Sequence, residues 1–201
     1  MKPPLEPGLT LTGADSEWFW MMTQAAILLI TLLLIFFKLR ATATANAIIA
    51  LQQFEEKWNT PAMARARFRV CQDFLSEVVP PDHDVAYHER RVLDFFEEMA
   101  IYTHHSALTN SIAWETYSSQ IECYWIMLDE RVRDLRVRYN GSSYYERFES
   151  LAKWMQSESD RRDGPNNATS EATIRSFATS EVARLQDQAD IEQFKLNAEE
   201  A

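Results

Sequence analysis

Residues able to do chemistry crowd into one stretch. Four histidines lie between residues 82 and 105, and His83, Asp84, His88 and Glu89 offer the nitrogen and oxygen donors that a divalent metal takes. With a metal on His83, Asp84 and His88 the chain would be a metal-dependent hydrolase. The spacing opposes this reading. On a helix His88 needs a partner three or four residues away, whereas His83 precedes it by five, across the loop Asp82-His83-Asp84. His104 and His105 are adjacent and diverge by about 100° on a helix. The pair Glu97-Glu98 raises a di-iron centre, but a helical bundle holds one with Glu-x-x-His on two helices, and no Glu here has a His three residues later. Cys71 and Cys123 fall on apolar stripes, where a thiol behaves as a small hydrophobe, and they form no C-x-x-C. With only 4 Gly, no phosphate-cradling loop or G-x-S-x-G elbow is present. The chain is therefore expected to hold no catalytic or metal-ligating residues and no cofactor.

Arg131, Arg133, Arg136 and Arg138 make the densest basic run, interleaved with Asp129, Glu130 and Asp134. Such a pattern reads as a helix face laced with ion pairs rather than a phosphate or RNA site. The whole chain carries a net charge of -10, which also argues against nucleic acid as a partner.

The elements that would position these residues are helices. Hydrophobic residues make up 46% of the 201, enough for a folded core, while 4 Gly and 7 Pro are too few to punctuate a β-fold of this size. The run Trp18 to Phe37 contains no charge, and at about 1.5 Å per residue it matches the ~30 Å hydrocarbon core of a bilayer. It is predicted to be a transmembrane helix. Trp18 and Trp20 are its interfacial anchors at one end, and Lys38 and Arg40 at the other. Lys38, Arg40, Lys57, Arg65, Arg67 and Arg69 follow the span and only Lys2 precedes it, so the C-terminal side is expected to be cytoplasmic and the N-terminus outside the inner (plasma) membrane. Small residues at Ala41, Ala43, Ala45 and Ala47 resemble a signal cleavage site, but the apolar run is too long, its leader is not basic, and Lys38 and Arg40 intervene.

The expected organisation is a leader (1–17), a transmembrane helix (18–37), a helical stalk (38–59), a helical bundle domain (60–157) and a linker with a weakly helical acidic tail (158–201). In the stalk Ile48, Leu51, Phe54 and Trp58 recur at helical steps. Thr60-Pro61 restarts the chain as a capped helix with Phe68, Cys71, Phe74, Leu75 and Val78 in line, ending before Pro80-Pro81. A third segment points Val92, Phe95, Phe96, Met99 and Tyr102 inward, and a fourth, capped by Thr109 or Asn110, does so with Ile121, Tyr124, Trp125, Leu128, Val132 and Leu135. Asn140-Gly141 stops it, and Ser142 or Ser143 caps a fifth with Phe148, Leu151 and Met155. Phe95, Phe96 and Met99 should face Tyr124, Trp125 and Leu128 across an antiparallel pair. The tail repeats Ile174, Phe177, Val182 and Leu185 weakly, the pattern of a helix that folds only against a partner. The fold class is thus all-α: a membrane helix, a stalk, a small antiparallel bundle and a flexible tail.

The segments RVLDFFEEMAIY (Arg91 to Tyr102) and YERFESLAKW (Tyr145 to Trp154), with Tyr124-Trp125 and basic residues between them, resemble a bacterial family of small membrane-anchored helical proteins, the domain of unknown function 4760. The likeness runs from Leu33 to Trp154. It implies an N-terminal anchor and a prokaryotic source, and no activity. The functional expectation is a membrane-tethered adaptor or scaffold whose partners are the lipid bilayer and a second protein. The alternative is an oligomeric membrane effector, a homo-oligomer in which Thr23, Gln24 and Thr31 meet across transmembrane helices.

Overall fold

The structure is a computed structural model that describes residues 17–77, 86–105, 108–164 and 170–199. Among them are six helices and no strand: α1 (Glu17–Trp58), α2 (Pro61–Ser76), α3 (Tyr87–His104), α4 (Asn110–Arg138), α5 (Glu146–Asp163) and α6 (Glu171–Glu199). The chain divides into two compact units, Met1–Ala45 and Asn46–Ala201, and α1 carries residues of both.

In the first unit the apolar stretch of α1 is long and apolar enough to cross a membrane, with a mean hydropathy of 2.2, and none of its apolar window is buried. A soluble protein would have to hide these side chains, because each buried Leu or Phe stabilises a fold by roughly 1.5–3 kcal/mol relative to its exposed state.

In the second unit the first buried stripe is the end of α1. Ala47, Ala50, Phe54 and Trp58 are buried at steps of three and four, while Ile48 is half exposed. Residues 46–58, read from sequence as stalk, therefore join the bundle core. Phe54 and Trp58 are buried as expected and Leu51 packs partly against the core, whereas at the start of the stripe Ala47 and Ala50, rather than Ile48, lie on the inward face. Trp58 packs on Phe95 with ring centroids 4.9 Å apart, and Phe54 meets both Phe95 and Tyr102 edge-on.

Cross-helix partners fix the directions of the remaining helices. Glu89 meets Arg131 and Phe96 meets Tyr124, so α3 and α4 are antiparallel. Arg136 meets Glu149 and Glu122 meets Ser159, so α4 and α5 are antiparallel as well. The expected facing of Phe96 and Tyr124 is present, with centroids 5.7 Å apart, but Trp125 turns to Phe148 of α5 and Phe95 to Trp58 of α1.

Of three helix ends near local sequence signals, one carries a side-chain cap. Thr60 caps α2 by accepting from the Met63 amide at 3.3 Å, with Pro61 in the first turn. Thr109 is the N-cap of α4, though its side chain makes no capping bond. Glu77, in the left-handed region at φ 54°, ends α2. The α4–α5 turn differs from expectation in two ways. Asn140, not Gly141, takes the left-handed conformation (φ 47°), and Gly141 is needed because a Cβ there would lie 2.8 Å from the Tyr144 ring. Neither Ser142 nor Ser143 is the N-cap of α5. Tyr145 is, and Glu97 on α3 caps the helix from outside by accepting from the Phe148 amide at 2.7 Å.

The polar tail has a partner within the chain. Ile174, Ala178, Glu181 and Leu185 of α6 are buried, and α6 lies antiparallel to α2, with Arg67 opposite Glu181 and Glu77 opposite Arg175.

Candidate functional site

Each described candidate from the histidine stretch has a structural occupation. Glu89 is buried, accepts the Ala86 amide at 2.9 Å and holds Arg131 Nε at 3.1 Å, so it starts α3 and ties it to α4. Glu97 caps α5, and Glu98 pairs with Lys57. His104 is exposed beside Arg147, its Nδ1 3.4 Å from the guanidinium. His88 Nε2 lies 2.9 Å from Asp73 Oδ2, joining α3 to α2. His83 and Asp84 lie outside the described residues. Among the described residues no three or more of His, Cys, Asp and Glu converge as metal ligands.

Cys71 and Cys123 are free and buried, with Cys71 Sγ 3.6 Å from the Tyr124 hydroxyl. Burial pushes the Cys71 thiol up to about 12 and Cys123 up to about 11, so neither supplies a thiolate near neutral pH.

In the basic run only Arg133 takes the neighbouring acid expected of it, Asp129. Arg131 reaches across to Glu89 and Arg136 to Glu149 at 2.6 Å, so these two tie helices together. Glu149 is held below the usual carboxylate range by hydrogen bonds from Lys153 and from Arg136.

Sequence reading missed Arg67, counted there with the juxtamembrane cations. Its side chain is 1% exposed, its NH1 donates to Glu181 Oε1 at 2.8 Å, and its guanidinium lies 4.1 Å over the Trp58 ring. Burial lowers its pKa and the charge of Glu181 raises it again. The sequence trace was its phase: of Arg65, Arg67 and Arg69, only Arg67 lies four residues after the inward Met63 and four before the inward Cys71.

Beside this core pair lies an open groove of about 590 Å³ between α2, α4 and the first turns of α6. Val70, Leu128 and Ile174 are buried in its floor, and the half-buried Phe74, Ile126 and Met127 line it. Asp73, Glu77, Glu130, Asp134 and Glu171 surround them, with Arg131 and Arg175 as the cations. Among the described lining residues there is no Ser, Thr or Cys to act as a nucleophile with the neighbouring His88–Asp73 pair. The groove thus combines an apolar floor with a mainly acidic border.

In the first unit Trp18, Trp20, Lys38 and Arg40 are exposed. The Thr23 and Thr31 hydroxyls donate to the carbonyls of Phe19 and Ile27 at 2.9 and 2.8 Å, four residues back on their own helix. Two of the three polar groups expected to meet across an oligomer thus have their donors satisfied internally.

A family model, described as Domain of unknown function (DUF4760), matches residues 22–155. The chain belongs to this family. Neither a curated protein nor a solved structure matches it. The DUF4760 match opens inside the apolar stretch of α1 and closes in α5, so α2, α3 and α4 lie within it. α6 lies beyond it, and with α6 come Glu181, the partner of Arg67, and one wall of the groove.

Proposed function

We propose that this DUF4760 protein is a single-pass, membrane-tethered interaction module, an adaptor or scaffold whose helical unit is held at the cytoplasmic face of the membrane. The observation that carries this reading is the fully exposed apolar stretch of α1 in a chain whose other helices bury a continuous core. The uncharged run of twenty residues from Trp18 to Phe37, with Trp18 and Trp20 at one end and Lys38 and Arg40 just past the other, fits a bilayer with its two interfaces.

The basic residues support a cytoplasmic helical unit, though two count for less than their number in the sequence. Arg67 is buried against Glu181 and Lys57 is paired with Glu98, which leaves Lys38, Arg40, Arg65 and Arg69 as the bias. They still outnumber Lys2.

Single cysteines introduced in the full chain test both the tether and its orientation. Because Cys71 and Cys123 are buried, native thiols give little background. In intact cells a membrane-impermeant maleimide should label Thr10→Cys and spare Ser143→Cys until the membrane is opened. The reverse pattern would invert the topology, and release of the parent chain by alkaline carbonate would end the transmembrane reading.

A further inference from the structure

We propose that the groove between α2, α4 and α6 receives a basic amphipathic helix of a partner protein, a helix whose apolar stripe is flanked by Lys or Arg. This rests on the interaction-module reading and names the partner that it requires. The argument is the arrangement of charge around the apolar floor. Glu130 and Asp134 stand one turn apart on α4, Asp73 lies in the last turn of α2 and Glu77 at its C-cap, and all four border the groove. An acidic α4 edge with an axial step of about 6 Å, with further acids at the end of α2, therefore borders the floor formed by Val70, Leu128 and Ile174. That is the complement of a helix with apolar side chains at i, i+3, i+4 and i+7 and cations beside them.

The two cations in the lining leave the α4 edge open, while on the α2 side Asp73 is engaged by His88 and Glu77 by Arg175. Arg131 is bound by Glu89 from α3, and Arg175 is held between Glu77 and Glu171. Glu130 and Asp134 are exposed, and among the described residues neither has an ion-pair partner. An incoming Lys or Arg satisfies them, whereas an acidic helix meets like charge along this edge. The groove volume of about 590 Å³ accommodates a few large apolar side chains rather than a whole helix, so the partner would lie along the mouth and insert its stripe.

The test uses the full chain in nanodiscs of zwitterionic lipid and a labelled synthetic peptide of about 18 residues, with leucines at i, i+3, i+4 and i+7 and lysines flanking them. Fluorescence anisotropy should show saturable binding that weakens with salt and exceeds binding to chain-free discs. The double variant Glu130→Lys/Asp134→Lys, at exposed positions, should keep the parent's circular dichroism and weaken binding about 10-fold. A peptide with glutamates in place of the lysines should not bind. Equal affinity for both peptides, an unchanged double variant, or retention by chain-free discs equal to that by the chain would overturn the proposal. So would dimerisation of the chain lost in the same variant, which would give the groove to a second copy. Failure here leaves the maleimide pattern untouched, so loss of the partner and loss of the tether are separately visible.

Discussion

Replacing Glu181 by Leu strands a positive charge in the bundle core. Arg67 is 1% exposed and its NH1 bond to Glu181 is the ion pair that compensates its burial. Removing one partner of a buried pair costs about 3–5 kcal/mol, and because the Glu181 side chain is itself 10% exposed, some water reaches the site and the lower end, about 3 kcal/mol, is expected. The contact of Arg67 with Trp58 persists in the variant and does not change the difference. For a folded unit of roughly 150 residues, about 3 kcal/mol lowers the melting temperature by roughly 6–12 °C. Replacing both partners, Arg67→Met with Glu181→Leu, should return stability to within about 1 kcal/mol of the parent, since apolar groups of similar volume substitute for a buried pair without loss. Arg184 also binds Glu181 but is 46% exposed, so Arg184→Ala should change little. Thermal unfolding of the detergent-solubilised full chain, followed by circular dichroism, measures all four. A double variant as unstable as Glu181→Leu alone would refute the reasoning, because the cost would then lie in packing and not in an uncompensated charge.

Phe95→Ala should destabilise by about 3–5 kcal/mol, since its ring is buried against Phe54, Trp58 and Tyr117; a loss below about 1 kcal/mol in urea unfolding would contradict that packing. Glu97→Ala should lose about 1–2 kcal/mol and show first as amide exchange in the opening turn of α5, whose Phe148 amide it holds. Stability should fall as pH rises from about 8.5 towards 10: the unfolded thiol ionises near 8.5 while burial keeps Cys71 protonated up to about 12, so the unfolded chain loses its proton first. The urea midpoint should therefore be lower at pH 10 than at pH 8, and by less in Cys71→Ala than in the parent. Both cysteines should resist alkylation at pH 8 until the chain is unfolded, and rapid labelling of the native protein would show that the core is open.

Features set by near neighbours were legible in the sequence. An uncharged run from Trp18 to Phe37 needs nothing but its own composition to demand an apolar environment, and the helix there is exposed and continuous. The helical phase of Val92, Phe96 and Met99, or of Ile121, Tyr124 and Leu128, follows from the 3.6-residue turn, and all six are buried. Thr60-Pro61 carries its cap within four residues. Tertiary structure decided what depends on residues distant along the chain. Glu97 caps α5 from 51 residues away, and Arg67 is a core residue because Glu181 stands 114 residues later to neutralise it. The tail was legible as weakly helical, but only its packing against α2 buries Ile174 and Leu185. The groove belongs to this second class. Its acids read singly as a solvated face, and they frame an apolar floor only after α2, α4 and α6 have come together, because a concave surface is a property of packing that no local periodicity encodes.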